Sequence, residues 1–130
     1  MKTLDTNICS YILRHHPRSV VEHFHAQAGE PFFLSALVVA ELRFGAVKRG
    51  SDRLISEVED FVSGFSCQAW PLEASLHYAR LRAELERQGR PIGNMDLLIA
   101  AHALAANAVL VTHNCREFER VPGLRVENWI

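Results

Sequence analysis

Residues 2–9, Lys2-Thr3-Leu4-Asp5-Thr6-Asn7-Ile8-Cys9, pass from a short extended pattern into a helical one, with a carboxylate at the junction. Lys2 to Asp5 reads as a strand and Thr6 to His15 as the helix after it. That helix must stop before Pro17, because the residue preceding a proline disfavours helical backbone. Asp5 is a natural N-cap for such a helix, with Thr6 and Asn7 able to share the role. It also stands among apolar neighbours, where a charge is costly without a partner.

The same alternation continues outward. Arg18 to Ala28 reads as a second helix ended by Gly29, and Phe32 to Leu34 as a strand. Ser35 caps a helix to about Lys48, with Leu37, Ala40, Phe44 and Val47 as its expected core face. Ser51 caps the next helix, and Cys67 to Trp70 is a strand before Pro71. Glu73 to Gln88 is amphipathic through Ala74, Tyr78, Leu81 and Leu85. Asn94 caps a helix to about Asn107, Ala108 to Thr112 is a buried strand, and Leu124 to Asn128 a last one. Five short strands joined by helices predict a three-layer α/β fold with a central, mainly parallel sheet flanked by helices. Ligands of such sheets collect beyond the carboxyl ends of the strands. Asp5 ends the first strand and Asn114 follows the fourth, so both belong at that edge.

The 130 residues contain no repeat, low-complexity tract or linker, and form one expected domain over 1–130. At 48% hydrophobic and 22% charged residues, the composition is that of a chain with a packed core rather than a disordered or fibrous one. Fourteen Lys and Arg against fifteen Asp and Glu exclude a general attraction to nucleic acid, so any such binding must be local. The apolar runs are too short to span a bilayer, and the chain reads as soluble and cytoplasmic. Three cysteines without C-x-x-C spacing suggest buried free thiols rather than disulfides or a thiolate zinc site. His23 and His25, two apart on a predicted helix, face different sides and make a poor metal pair.

Asp5 has two companions in apolar settings, Glu41 in Val39-Ala40-Glu41-Leu42 and Asp96 in Met95-Asp96-Leu97-Leu98. Asp96 has a helix-dipole explanation in the first turn of its helix. Glu41 has no local one, since Leu37, Val38, Phe44 and Gly45 carry no donor; a distant Arg is the alternative. Three carboxylates brought together repel unless a cation sits between them, and an all-oxygen set favours Mg²⁺ or Mn²⁺ over zinc. Asn114 and Glu117 are further oxygen donors, with Glu117 expected to pair with solvent or a nearby Arg. Thr6, Asn7 and Ser35 could bond water at the cation. Arg14, Arg43 and Arg116 are candidate phosphate contacts, and Gly45, one turn after Glu41, leaves room for a metal or substrate.

Leu4-Asp5-Thr6-Asn7, Ala40-Glu41-Leu42-Arg43-Phe44-Gly45, Ile92 to Ala101 and Leu110-Val111-Thr112-His113-Asn114 together resemble the PIN-domain ribonucleases. Glu117-Phe118-Glu119-Arg120-Val121-Pro122-Gly123-Leu124 is similar to the VapC toxins within that family. The resemblance implies a PIN-like fold and a Mg²⁺-dependent endoribonuclease that cuts RNA with a metal-activated water. It further implies a homodimer neutralised by a VapB-type antitoxin, through which alone it meets operator DNA. Asp5, Glu41 and Asp96 match the family's acidic metal positions. Asn114 stands where many members carry Asp. The alternative is a non-catalytic nucleic-acid or partner-binding module, which would leave the acids without a task.

Overall fold

In the computed structural model, which describes Met1–Ile130, the opening stretch forms strand β1 (Lys2–Leu4) at the centre of the sheet. A central strand must satisfy both faces. Leu4 is fully buried, and the buried Thr3 donates its hydroxyl to the Phe33 carbonyl at 2.8 Å. Helix α1 (Thr6–Leu13) follows at once, then α2 (Arg18–Ala26) and β2 (Phe32–Ser35). Beyond these come α3 (Ala36–Arg49), α4 (Asp52–Ser63), β3 (Ser66–Gln68), α5 (Ala74–Arg87) and α6 (Asn94–Ala105). Strand β4 (Val109–Val111), the short α7 (Cys115–Phe118) and β5 (Val126–Glu127) complete the chain.

The five strands lie in the order β3-β2-β1-β4-β5, and every pairing is parallel. Lys2 sits opposite Phe32 on one side and Val109 on the other. From β1 the chain winds outward through β2 to β3, then returns to the far side of β1 for β4 and β5. The order therefore reverses between β1 and β4, and at such a switch point the two neighbouring connections leave in opposite directions and open a crevice at the carboxyl ends. Asp5 and Thr112, the residues directly after β1 and β4, stand on its two sides.

Two expectations are corrected. Helix α3 buries Val38, Val39, Leu42 and Ala46, while Phe44 and Val47 are each 65% exposed. The sequence carries two apolar stripes on this helix, and the one with the smaller side chains faces the protein, letting α3 pack against α1 and α4. The N-cap of α6 is Gly93 rather than Asn94. The cysteines also divide: Cys9 is buried and its thiol pushed well up by burial, whereas Cys67 is exposed. No helix is long and apolar enough to cross a membrane.

Candidate active site

Asp5 does the capping task that the sequence offered and a second that it did not. Its Oδ1 caps α1 by accepting the Ile8 backbone N–H at 2.9 Å. Its Oδ2 accepts the Thr112 hydroxyl at 2.5 Å, tying the end of β1 to the end of β4. Thr112 is fully buried, and its oxygen in turn accepts the Asn114 backbone N–H at 3.0 Å. Sequence reasoning passed over Thr112; the parallel neighbour relation of β1 and β4 is the signal that pairs it with Asp5. Burial pushes the Asp5 carboxyl up from its ordinary range, the Thr112 and Ile8 bonds pull it back, and the charge of Glu41 adds to the rise.

Asp96 stands in the first turn of α6, half-buried, with its carboxyl pushed up to about 6. Burial is the largest cause, followed by the charge of Glu117 and then that of Asp5, with Glu41 also contributing. Glu117 is thus part of the acidic group. Its Oε1 accepts the Gly93 backbone N–H at 3.3 Å, and its Oε2 accepts the Asn114 side-chain amide. The expectation that Glu117 pairs with solvent or an Arg is corrected, because α7 turns it back toward the start of α6. Asn114 spends its amide N–H on Glu117, which leaves its carbonyl oxygen as the donor available for a cation.

Glu41, partly buried on α3, accepts the Thr6 hydroxyl at 2.6 Å. No arginine reaches it, so the distant ion pair considered for it is absent. None of the chain's six ion pairs involves Asp5, Glu41, Asp96 or Glu117. From Glu41 a cleft of about 350 Å³ runs between α1 and α3, bordered by Thr6, Asn7, Arg14 and Arg49 among others. Arg49 was missed, although it lies eight residues after Glu41 and hence on the same helix face.

Two other expected contacts do not come to the site. Arg43 holds Glu59 of α4 with two bonds, at 2.8 and 3.0 Å, because a residue two positions from Glu41 points to another side of the helix. Ser35 is buried and caps α3 by accepting the Leu37 N–H at 3.2 Å, and its hydroxyl also bonds His102 Nδ1 at 2.9 Å, so it has nothing free for a substrate. Arg116 is exposed on α7, next to Cys115 and Glu117.

The donor set is carboxylate oxygen throughout, with an amide carbonyl beside it and no cationic partner. The side chains do not close into a compact three-ligand cluster. That suits Mg²⁺ or Mn²⁺, which take one or two carboxylates directly and reach others through water, better than zinc with its nitrogen and sulfur ligands. Burial first, and then mutual repulsion, raises Asp5 and Asp96, and a divalent cation would relieve both.

A parallel sheet with an acidic group at its switch point is the arrangement of a PIN domain, and the sequence matches the PIN domain family over residues 2–124. Among curated proteins the chain is 42% identical to the tRNA(fMet)-specific endonuclease VapC of Shigella flexneri, over 97% of this chain and 96% of that one. It is 41% identical to ribonuclease VapC2 of Haemophilus influenzae, over 98% and 96%. The solved VapBC2 complex of Rickettsia felis bound to a promoter DNA fragment superposes with a TM-score of 0.91 at 39% identity, covering 99% of this chain and 98% of that one. A DNA-bound VapBC complex from Salmonella typhimurium gives 0.91 at 37%, over 100% and 99%. The chain belongs to the PIN-domain family and, within it, to the VapC ribonucleases.

Proposed function

We propose that this protein is the Mg²⁺-dependent endoribonuclease toxin of a toxin–antitoxin pair, acting in the cytoplasm on RNA phosphodiester bonds and neutralised by a VapB-type antitoxin. The observation that carries this is the group of carboxylates, unpaired by any basic residue, at the β1/β4 switch point. Asp5 and Asp96 would hold the cation, with Glu41 and the Asn114 carbonyl beside them, and Mn²⁺ would substitute for Mg²⁺. When bound, the cation lowers the pKa of a water and offsets charge on the phosphoryl oxygens.

The chain's own groups position that chemistry. Thr112 and the Ile8 N–H fix Asp5, Thr6 fixes Glu41, and Glu117 ties Asn114 to the start of α6. Arg14 and Arg116 would contact phosphates, and Asn7 borders the path of the strand. With a net charge of −1 the chain has no general pull on DNA, so operator binding would come only through the antitoxin. A homodimer completes the assembly we propose.

The test is cleavage of cellular RNA, with initiator tRNA as first substrate, by protein purified away from its antitoxin. Cutting should require Mg²⁺ or Mn²⁺, stop with chelator, and vanish in Asp5→Asn and Asp96→Asn while antitoxin binding persists. Tight antitoxin binding with no metal-dependent cutting would establish the non-catalytic module instead.

A further inference from the structure

The arginines of the chain divide into spent and unspent. Arg18, Arg43, Arg53, Arg82 and Arg87 are each paired with a glutamate, whereas Arg80 and Arg120 belong to no ion pair. Those two meet. They border one cavity of about 210 Å³ between α5 and the segment after α7, together with Leu81, Glu84, Leu85, Gln88 and Pro122. The carboxylate there is already taken, since Arg87 donates to Glu84 from Nη2 and from Nε at 3.0 Å, and Gln88 donates to it at 2.9 Å. Arg80 stands one turn before Glu84, the ordinary spacing of a helical ion pair, and still does not bond it.

Arg120 is the more unusual of the two. Its Nε is buried with no hydrogen-bond partner, and Nη1 makes only a long bond to the Pro91 carbonyl, at 3.4 Å. A guanidinium donor taken from water and given no acceptor is costly, and a second guanidinium on the same cavity adds repulsion. This is the converse of the acidic centre, where carboxylates meet without a cation. Here an anion is called for.

Chemistry and place say which anion. A guanidinium fork matches phosphate oxygens two at a time, and the buried Leu81 and Leu85 give the cavity an apolar floor. Pro91, held by Arg120, lies two residues before Gly93, held by Glu117, and Asp96 follows in the first turn of α6. One short loop therefore separates the cavity from the acidic centre. We propose that Arg80 and Arg120 hold a backbone phosphate of the RNA away from the cut, on the α5 and α7 side of that centre. This rests on the nuclease reading and deepens it, because it adds a second point at which the substrate is held. Such a contact sets the register of the strand and reads no base.

The test uses protein freed of its antitoxin, as wild type, Arg80→Gln, Arg120→Gln, the double variant and Arg90→Gln. A fluorescent RNA hairpin gives kcat and KM with Mg²⁺, and binding against salt with chelator. Arg80 is exposed and makes no ion pair, so Arg80→Gln should melt as wild type does. Each single variant at the cavity should raise KM roughly threefold to tenfold and leave kcat unchanged. The double variant should reduce the slope of log binding against log salt by about 1. Arg90, exposed beside the same loop but outside the cavity, should change neither when made Gln. If wild type cuts the hairpin and the double variant cuts it with the same KM, the phosphate site is wrong and the nuclease reading stands. Three other results overturn it as well. A fall in kcat at constant KM in Arg120→Gln would make that residue a brace for the Pro91 loop, and an equal loss in Arg90→Gln would reduce the effect to diffuse charge. Inorganic phosphate that raises the melting temperature of wild type but not of the double variant, with KM equal in both, would assign the cavity to free phosphate. If wild type cuts no RNA, the nuclease reading falls and takes this one with it.

Discussion

Asp5 and Asp96 are carboxylates withdrawn from water at one sheet edge, yet the fold treats them differently. Asp5 receives two donors, the Ile8 N–H and the Thr112 hydroxyl, and serves as cap and cross-strand tie beside its proposed role as ligand. Asp96 has no donor of its own; its neighbours are other carboxylates, and its carboxyl rises to about 6. The first acid is built into the structure. The second is held there at the structure's expense, which is the signature of a group kept for chemistry.

The sharpest way to break that contrast is to neutralise each acid and read stability beside activity. Both Asp5→Ala and Asp96→Asn should reduce RNA cleavage by at least about a hundredfold, since ligands matter no less than the outer contacts that orient them. Stability should split. Asp5→Ala loses the cap and strands the Thr112 hydroxyl, and should melt below wild type. Asp96→Asn removes a repelled charge and should melt above it at pH 7. The sign follows from proton binding. The folded carboxyl titrates near 6 and the unfolded one near 3.8. The folded chain thus holds the extra proton between about pH 4 and 6. Its contribution to stability is complete below about pH 4 and is lost as pH rises through 6. The Asp96→Asn advantage should therefore shrink in acid, and thermal melts without divalent cation across pH 4–7 check it. Parallel shifts for both variants would abolish the distinction.

The acidic trio was legible because each member breaks an apolar pattern, and the strand order placed Asp5 and Asn114 at one edge. What stayed hidden was nonlocal. Glu117 meets Gly93 across 24 residues, and Ser35 meets His102 across 67, distances at which local pattern carries no signal. The face of α3 was misread for a different reason. Leu37, Ala40, Phe44 and Val47 form as regular a stripe as Val38, Leu42 and Ala46, and periodicity fixes the existence of a face but not which of two apolar faces docks. Arg43 needed no structure to be set aside, since it cannot share a side with Glu41 two residues earlier.

Thr112 gives a smaller effect that sharpens the view of Asp5. Thr112→Val keeps the shape but deletes the hydroxyl that donates to Asp5 and accepts from the Asn114 N–H. Denaturant unfolding should register a loss of about 1–2 kcal/mol. Cleavage should fall roughly tenfold to a hundredfold, as for contacts that orient a metal ligand. The Asp5 carboxyl should also rise further, since the Thr112 bond is the strongest influence holding it down. Unchanged cleavage would show that Asp5 keeps its orientation through the α1 cap alone.

Ser35 and Arg43 supply the smallest effects, and they test whether a side chain near the acidic edge takes part merely by being near it. Ser35 ends β2 and precedes the helix that carries Glu41, yet its hydroxyl is committed to Leu37 and His102. Ser35→Ala should cost about 1 kcal/mol through the lost cap, leaving the KM for RNA unchanged. Arg43→Gln should leave both kcat and KM at wild-type values, because its guanidinium is spent on Glu59 of the neighbouring helix. The informative measurement is KM against ionic strength. A phosphate contact would lower the salt dependence when removed, whereas a helix-to-helix pair would not. A raised KM in Arg43→Gln would mean that RNA runs over the outer face of α3. The distinction between the two faces of that helix would then have to be given up.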